Sequence, residues 1–198
     1  MRFRQFISEE SEFSAKKIVS DCAPWFKANA PSHYIIWHGT SSFKKEAALI
    51  RNRPRSNPSN SSIQIHNTVN RILQIKFGWL PRTEGLFVSG DRNVSSVYGK
   101  AYACYPVGDF KFVWSPDIAD LFMYWKSYVA KHKHLHISEI TRKFAYDLEN
   151  SIEWKNTDIR QAIMSGHEII INASAFYLVD TDSDFYKREL SVAVGNLQ

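Results

Sequence analysis

Tyr34-Ile35-Ile36-Trp37-His38-Gly39-Thr40 is an apolar run that ends at an imidazole and the one residue type with no Cβ. Four aromatic or β-branched residues in succession predict a strand covered on both faces, which delivers His38 to a sheet edge. Gly39 beside it lets a ligand approach the backbone closely. A histidine at a strand end is more often structural than functional, so this stretch takes its meaning from motifs further along the chain.

The chain has 198 residues, 44% hydrophobic and 14% aromatic, which fits one packed domain spanning 1–198. Lys and Arg number 25 against 20 Asp and Glu, a net +5 that favours anionic partners such as a dinucleotide or nucleic acid without requiring one. Cys22 and Cys104 have no metal-ligand or redox spacing, so reduced, structural thiols in a cytoplasmic setting are expected. The charged opening has no apolar core after it, since Ser8, Glu9, Glu10 and Ser11 come at once, so no secretion signal is expected. The best apolar run, Leu121 to Trp125, falls far short of the ~20 residues of a membrane helix.

Along the chain, Phe13, Ala15, Ile18, Val19, Cys22, Trp25 and Phe26 recur near helical spacing and predict one helix, broken by Pro31 and Ser32. Ser41 or Ser42 is expected to cap a short helix through Phe43, Ala47, Leu49 and Ile50. Residues 51–62 form a polar, basic loop that offers Arg51, Arg53 and Arg55 to an anion. A helix from Ile63 through Phe77, stopped near Gly78, and a loop carrying Arg82 come next. Gly85 to Ser89 reads as a second buried strand and Asn93 to Tyr98 as one or two helical turns. Ala101 to Val107 and Phe110 to Trp114 read as a hairpin turning at Pro106, Gly108 and Asp109. Helices are expected from Pro116 through Val129, from Ile137 to Leu148 with Ser138 as a cap, and from Asp158 to Met164 up to Gly166. Glu168 to Asn172 and Phe176 to Asp180 are the closing strands. Short strands interleaved with segregated helices predict an α+β fold with a mixed or mainly antiparallel sheet. Neither GxGxxG nor GxxxxGK[ST] occurs, which removes the Rossmann and P-loop nucleotide sites.

Taken together, Trp37-His38-Gly39-Thr40, Gly85-Leu86-Phe87-Val88, Ser95-Ser96-Val97-Tyr98 and His167-Glu168-Ile169-Ile170-Ile171 resemble the ADP-ribosyltransferases of the poly(ADP-ribose) polymerase and diphtheria-toxin type. The resemblance covers residues 33–180 in outline and implies a split sheet with flanking helices around the nicotinamide end of NAD. By that resemblance His38 hydrogen-bonds the ribose hydroxyls, the Gly39 backbone in the His38-Gly39-Thr40 strand end grips the carboxamide, and Ser95 adds a hydroxyl to it. Tyr98 stacks on the nicotinamide ring, while Phe87 stands where polymerase relatives often carry a second stacking tyrosine. Glu168 carries turnover: cleavage of the nicotinamide-ribose bond builds positive charge on the sugar, which a fixed carboxylate stabilises while also taking a proton from the acceptor. Arg82 is assigned to a phosphate or adenosine contact by position alone. The reaction needs NAD as co-substrate and no metal.

Other constellations carry less. His132, His134 and His136 alternate, but no cysteine or clustered carboxylate completes a metal site and Lys131 and Lys133 repel a cation. Glu149, Glu153 and Glu168 supply no pattern that selects a glycosidase pair. Cys104 with His38 or His167 lacks a nucleophile signature. The expectation is therefore a mono-ADP-ribosyltransferase acting on a macromolecule, protein or nucleic acid, with NAD hydrolysis as a side activity and a toxin or phage effector among the sources. The alternative is a non-catalytic nucleic-acid-binding or adaptor protein that uses the Arg51 to Arg55 loop.

Overall fold

The computed structural model describes residues 13–55 and 62–197; the opening residues and the 56–61 portion of the basic loop lie outside the described residues. The elements in chain order begin with α1 (Ala15–Asp21), α2 (Ala23–Asn29), β1 (Ile36–Thr40), β2 (Ala47–Arg51), α3 (Ile63–Phe77), α4 (Pro81–Glu84) and β3 (Leu86–Ser89). They continue with α5 (Arg92–Ser96), β4 (Lys100–Pro106), β5 (Lys111–Trp114), α6 (Leu121–Lys131), α7 (Ile137–Asn150) and α8 (Ile159–Ser165). Last come β6 (Glu168–Asn172), β7 (Ala175–Val179) and a π-helical segment (Tyr186–Leu190) that runs into α9 (Ser191–Gly195).

The architecture is α+β: one open seven-stranded sheet in the order β2-β7-β4-β1-β3-β6-β5, with every pairing antiparallel. Alternation along β3, β6 and β5 divides the core between two faces. Leu86, Val88, Ile169, Ile171, Phe112 and Trp114 join the larger cluster with α1, α2 and α8, whereas Phe87, Ile170 and Val113 join the cluster under α3, α6 and α7. Among the described residues no helix is long and apolar enough to cross a membrane.

Five expectations are corrected. The first helix is two, because Pro24, which has no N–H, opens α2 directly after Cys22 closes α1. The stretch Ala47 to Ile50 is a strand: a short apolar run satisfies either period, and β7 gives it a five-residue antiparallel ladder from Ala47↔Val179 to Arg51↔Ala175. β4 and β5 are not a hairpin. Between them Val107 N donates to Ala175 O at 2.9 Å and Gly108 N to Asp21 O at 2.8 Å, so the turn is anchored to β7 and α1 while β5 crosses to pair with β6. Finally, α6 starts at Leu121 with Asp120 as its cap, not at Pro116, and α7 is capped by His136 rather than Ser138, in a reciprocal box with Glu139.

The two halves of the sheet meet at β1 and β3. β1 pairs with β4 through five residues but with β3 only through Trp37↔Ser89. Beyond that single pair the strands separate, and the His38 side chain bridges them, its Nδ1 lying 2.9 Å from Phe87 O.

Candidate active site at the central seam

Residues from several segments gather at this seam. β1 brings His38 and Gly39, and α5 packs directly on it: a Cβ at Gly39 would lie 1.8 Å from Ser95 O and 3.2 Å from Tyr98 Cβ. The missing side chain is thus required by the protein's own backbone, a reason additional to ligand approach. Ser95 is buried and donates its hydroxyl to Trp37 O at 2.9 Å, which fixes α5 to β1 and leaves the Ser95 oxygen lone pairs as its remaining capacity. Thr40 Oγ1 accepts from Ser42 N at 3.2 Å and so serves the turn after β1.

His38 bonds only a carbonyl through Nδ1, so Nδ1 carries the proton and Nε2 is an acceptor. Burial drives its pKa down to about 4, against the Phe87 carbonyl, which raises it, and with a smaller lowering from Arg55. The imidazole is neutral at physiological pH.

Glu168 opens β6 in register with Ser89, and Gly166 (φ 69°) ends α8 in the left-handed conformation that sets up this entry. Ser89 Oγ donates to Gly166 O at 2.6 Å, tying the ends of β3 and β6. Glu168 N donates to Ala119 O at 2.8 Å, and its Oε1 accepts from Arg82 Nη1 at 3.3 Å. Burial raises the Glu168 pKa; Arg82 lowers it, Asp120 raises it again and Arg55 opposes. Arg82 is delivered by α4, a single turn whose position is locked from α3: Arg82 N donates to Asn70 Oδ1 at 2.8 Å, and Asn70 Nδ2 to Thr83 Oγ1 at 2.8 Å. His66 Nε2 completes the set, 3.1 Å from the same hydroxyl.

Tyr98 comes after α5, 44% exposed, and donates its hydroxyl to Asp120 Oδ2 at 2.9 Å. Burial first and that bond second push its pKa up to about 12, so the phenol keeps its proton. The ring of Phe87 lies under two guanidinium groups, Arg55 Cζ at 4.7 Å and Arg82 Cζ at 4.9 Å from its centroid.

These contacts close on themselves. His38 touches Phe87, Phe87 carries Arg82, Arg82 binds Glu168, Glu168 bonds Ala119, the adjacent Asp120 holds Tyr98, and Tyr98 lies against Gly39, next to His38. An imidazole acceptor, an aromatic ring and a buried carboxylate therefore border one site. Arg82 Nε is buried there without a partner. Two members do not stand out in the sequence. Asp120 carries the N-cap signature of an acid directly before a helical run, which a helix start placed at Pro116 conceals. Asn70 has no local signal at all. Arg55, expected in a polar loop open to solvent, turns inward: its N donates to Thr83 O and its Nη2 to Gly85 O, both at 2.8 Å.

His132 and His136 serve the α6 to α7 connection, His132 stacked on Tyr128 and His136 capping α7, and the described residues contain no cluster suited to a metal. Cys104 is fully buried with its thiol pKa driven upward. The open concavities lined by Leu135, Glu139, Lys143 and Tyr146, and by Gln64, Arg71 and Glu149, share no residue with the seam. No protein-family model, curated protein or solved structure matches the chain.

Proposed function

We propose that this protein is a mono-ADP-ribosyltransferase that cleaves the nicotinamide-ribose bond of NAD and passes ADP-ribose to a macromolecular acceptor. The observation that carries the reading is the closed circuit of His38, Phe87, Arg82, Glu168, Asp120 and Tyr98 around the sheet seam. Residues distant in number and of the types this chemistry needs border one site, in keeping with an ADP-ribosyltransferase-like split sheet.

His38 uses Nε2 to accept a hydrogen bond from a ribose hydroxyl; as a neutral ring it does so without repelling the pyridinium. Tyr98 presents an aromatic face to that cation, its orientation fixed by Asp120. Ser95, with its proton committed to Trp37, accepts from the carboxamide NH2 alongside the Gly39 backbone. Arg82 opposes the rise in the Glu168 pKa that burial produces. Glu168 then stabilises the positive charge that develops on the sugar as nicotinamide departs, and receives the proton of a hydroxyl or amine acceptor. Arg82 Nε is a spare buried donor for an oxygen of the dinucleotide. The protein would act in the cytoplasm, or in host cytoplasm if it is a toxin or phage effector.

The test is incubation with labelled NAD and cell lysate. Wild type transfers label and releases nicotinamide, whereas Glu168→Gln binds NAD but loses transfer by a factor of about 100 or more. Equal labelling by both proteins removes Glu168 from its role. Salt-sensitive nucleic-acid binding with no nicotinamide release by the wild type would favour the adaptor alternative instead.

A further inference from the structure

The sheet has two outer strands, and they are finished differently. β5 is closed off: Trp114 N donates to Lys155 O at 3.0 Å, and Lys155 N donates to Trp114 O at 2.9 Å. β2 has β7 on one side and, among the described residues, no strand on the other. The bonds that flank it set its phase, Asp180 N to Glu46 O at 2.7 Å and Asn52 N to Ser174 O at 3.1 Å. Antiparallel ladders alternate, so Ala48 and Ile50 bond β7 while the N–H and C=O groups of Ala47, Leu49 and Arg51 point away from it. Among the described residues none of those groups has a hydrogen-bond partner. Ala47 is buried, Leu49 half-buried and Arg51 exposed, so the groups within reach are those of Leu49 and Arg51. An unpaired row of this kind is a template for another strand.

Charge and the mixture of donors and acceptors decide the occupant. Lys44, Lys45, Arg51 and Arg53 are exposed along this edge, and Glu46 is the one acid between Lys44 and Arg53. A second copy of the chain fits badly: antiparallel pairing about Leu49 sets Arg53 of each copy against Lys45 of the other, and cations on an edge strand deter such self-pairing. A nucleic acid matches the charge but not the edge, because its phosphates only accept, whereas β2 presents carbonyl oxygens as well as amides. An extended polypeptide supplies both kinds of group.

We infer that β2 is a docking edge for an extended acidic segment of a partner protein, which joins the sheet as an additional strand. Its backbone pairs with Leu49 and Arg51, and an apolar side chain rests on Leu49. Its carboxylates face Lys44 and Lys45 at one end and Arg51 and Arg53 at the other. β7 and β4 stand between β2 and β1, so the partner docks without entering the seam, whether or not the seam acts on NAD.

The experiment uses the full chain and a short labelled peptide of alternating glutamate and valine, with the lysine–valine counterpart as control. The acidic peptide should bind at least about tenfold more tightly than the basic one, and Lys44→Glu with Lys45→Glu should weaken it about tenfold. Leu49→Pro should abolish binding, because the amide it removes points outward and lies outside the β7 ladder. Amide hydrogen exchange of the wild type needs no variant to fold: with the acidic peptide bound, the Leu49 and Arg51 amides should slow about tenfold or more, while those of Ala48 and Ile50 are protected throughout. Equal binding of the two peptides would overturn the inference. So would Leu49 and Arg51 amides that are already protected without peptide, or that stay fast when it is bound. A dimer abolished by Leu49→Pro would give the edge to a second copy, and an oligonucleotide that displaces the peptide from wild type and binds Leu49→Pro equally well would give the charges to nucleic acid; either result overturns it.

Discussion

At the scale of single residues, His38 is held in one tautomer by one acceptor, and its neutrality comes from burial. The folded pKa, about 4, lies below the ordinary value of 6.5, so between those two values the unfolded chain binds a proton that the folded chain refuses. Stability therefore falls as pH drops through 6.5 and levels off below 4, a loss on the order of 3 kcal/mol from this group. Urea denaturation of wild type and His38→Gln at pH 7.5 and pH 4.5 measures it: the wild type should lose more stability on acidification by an amount of that order, and a gap between the proteins that does not move with pH would refute it. His38, Phe87, Tyr98 and Glu168 are legible as candidates because each lies inside a recognisable run of sequence. Asp120 is not, because its signal depends on knowing where α6 begins, and Asn70 is not, because its partner Arg82 is set by tertiary packing.

At the scale of elements, the packing of α5 on β1 is what aligns Ser95 and Tyr98 with the seam. The backbone carbonyl of Ser95 occupies the space of a Gly39 side chain, so Gly39→Ala must push α5 away and strain the Ser95 to Trp37 bond. A loss of about 1–3 kcal/mol or more is expected from the overpacking. Gly195→Ala, where a Cβ meets nothing within 4 Å, should stay within about 0.5 kcal/mol of wild type and serves as the control. Similar denaturation midpoints for the two variants would contradict the close approach. Elements with a long period or a clear stop are readable: α3 runs from Ile63 to Phe77 as its apolar spacing and Gly78 predict, and β6 has the expected bounds. β2 is ambiguous in sequence because four apolar residues carry no period, and only the β7 ladder decides the matter.

At the scale of the whole molecule, strand order lies beyond local pattern. Nothing in Pro106 to Asp109 announces that β4 and β5 end on opposite sides of the seam, since the turn is consistent with a hairpin until its bonds to β7 and α1 are known. The uneven pairing of β1 has a measurable result. Its amides that point to β4 belong to a ladder of five residue pairs, while those toward β3 have one. Hydrogen exchange under native conditions should find the first group protected longer than the second, and uniform protection along β1 would mean that the seam is closed.

The same order of strands dictates when the cleft comes into being. β2, made early, has no neighbour until β7 is synthesised, and β3, joined to β1 by one residue pair, gains its ladder only with β6, which begins with Glu168. A nascent chain still on the ribosome thus carries its imidazole and phenol long before the last partner arrives. Such late, long-range closure slows folding. It also means that, on the proposed transferase reading, no partial chain holds the whole candidate site, because the site and the sheet are completed together.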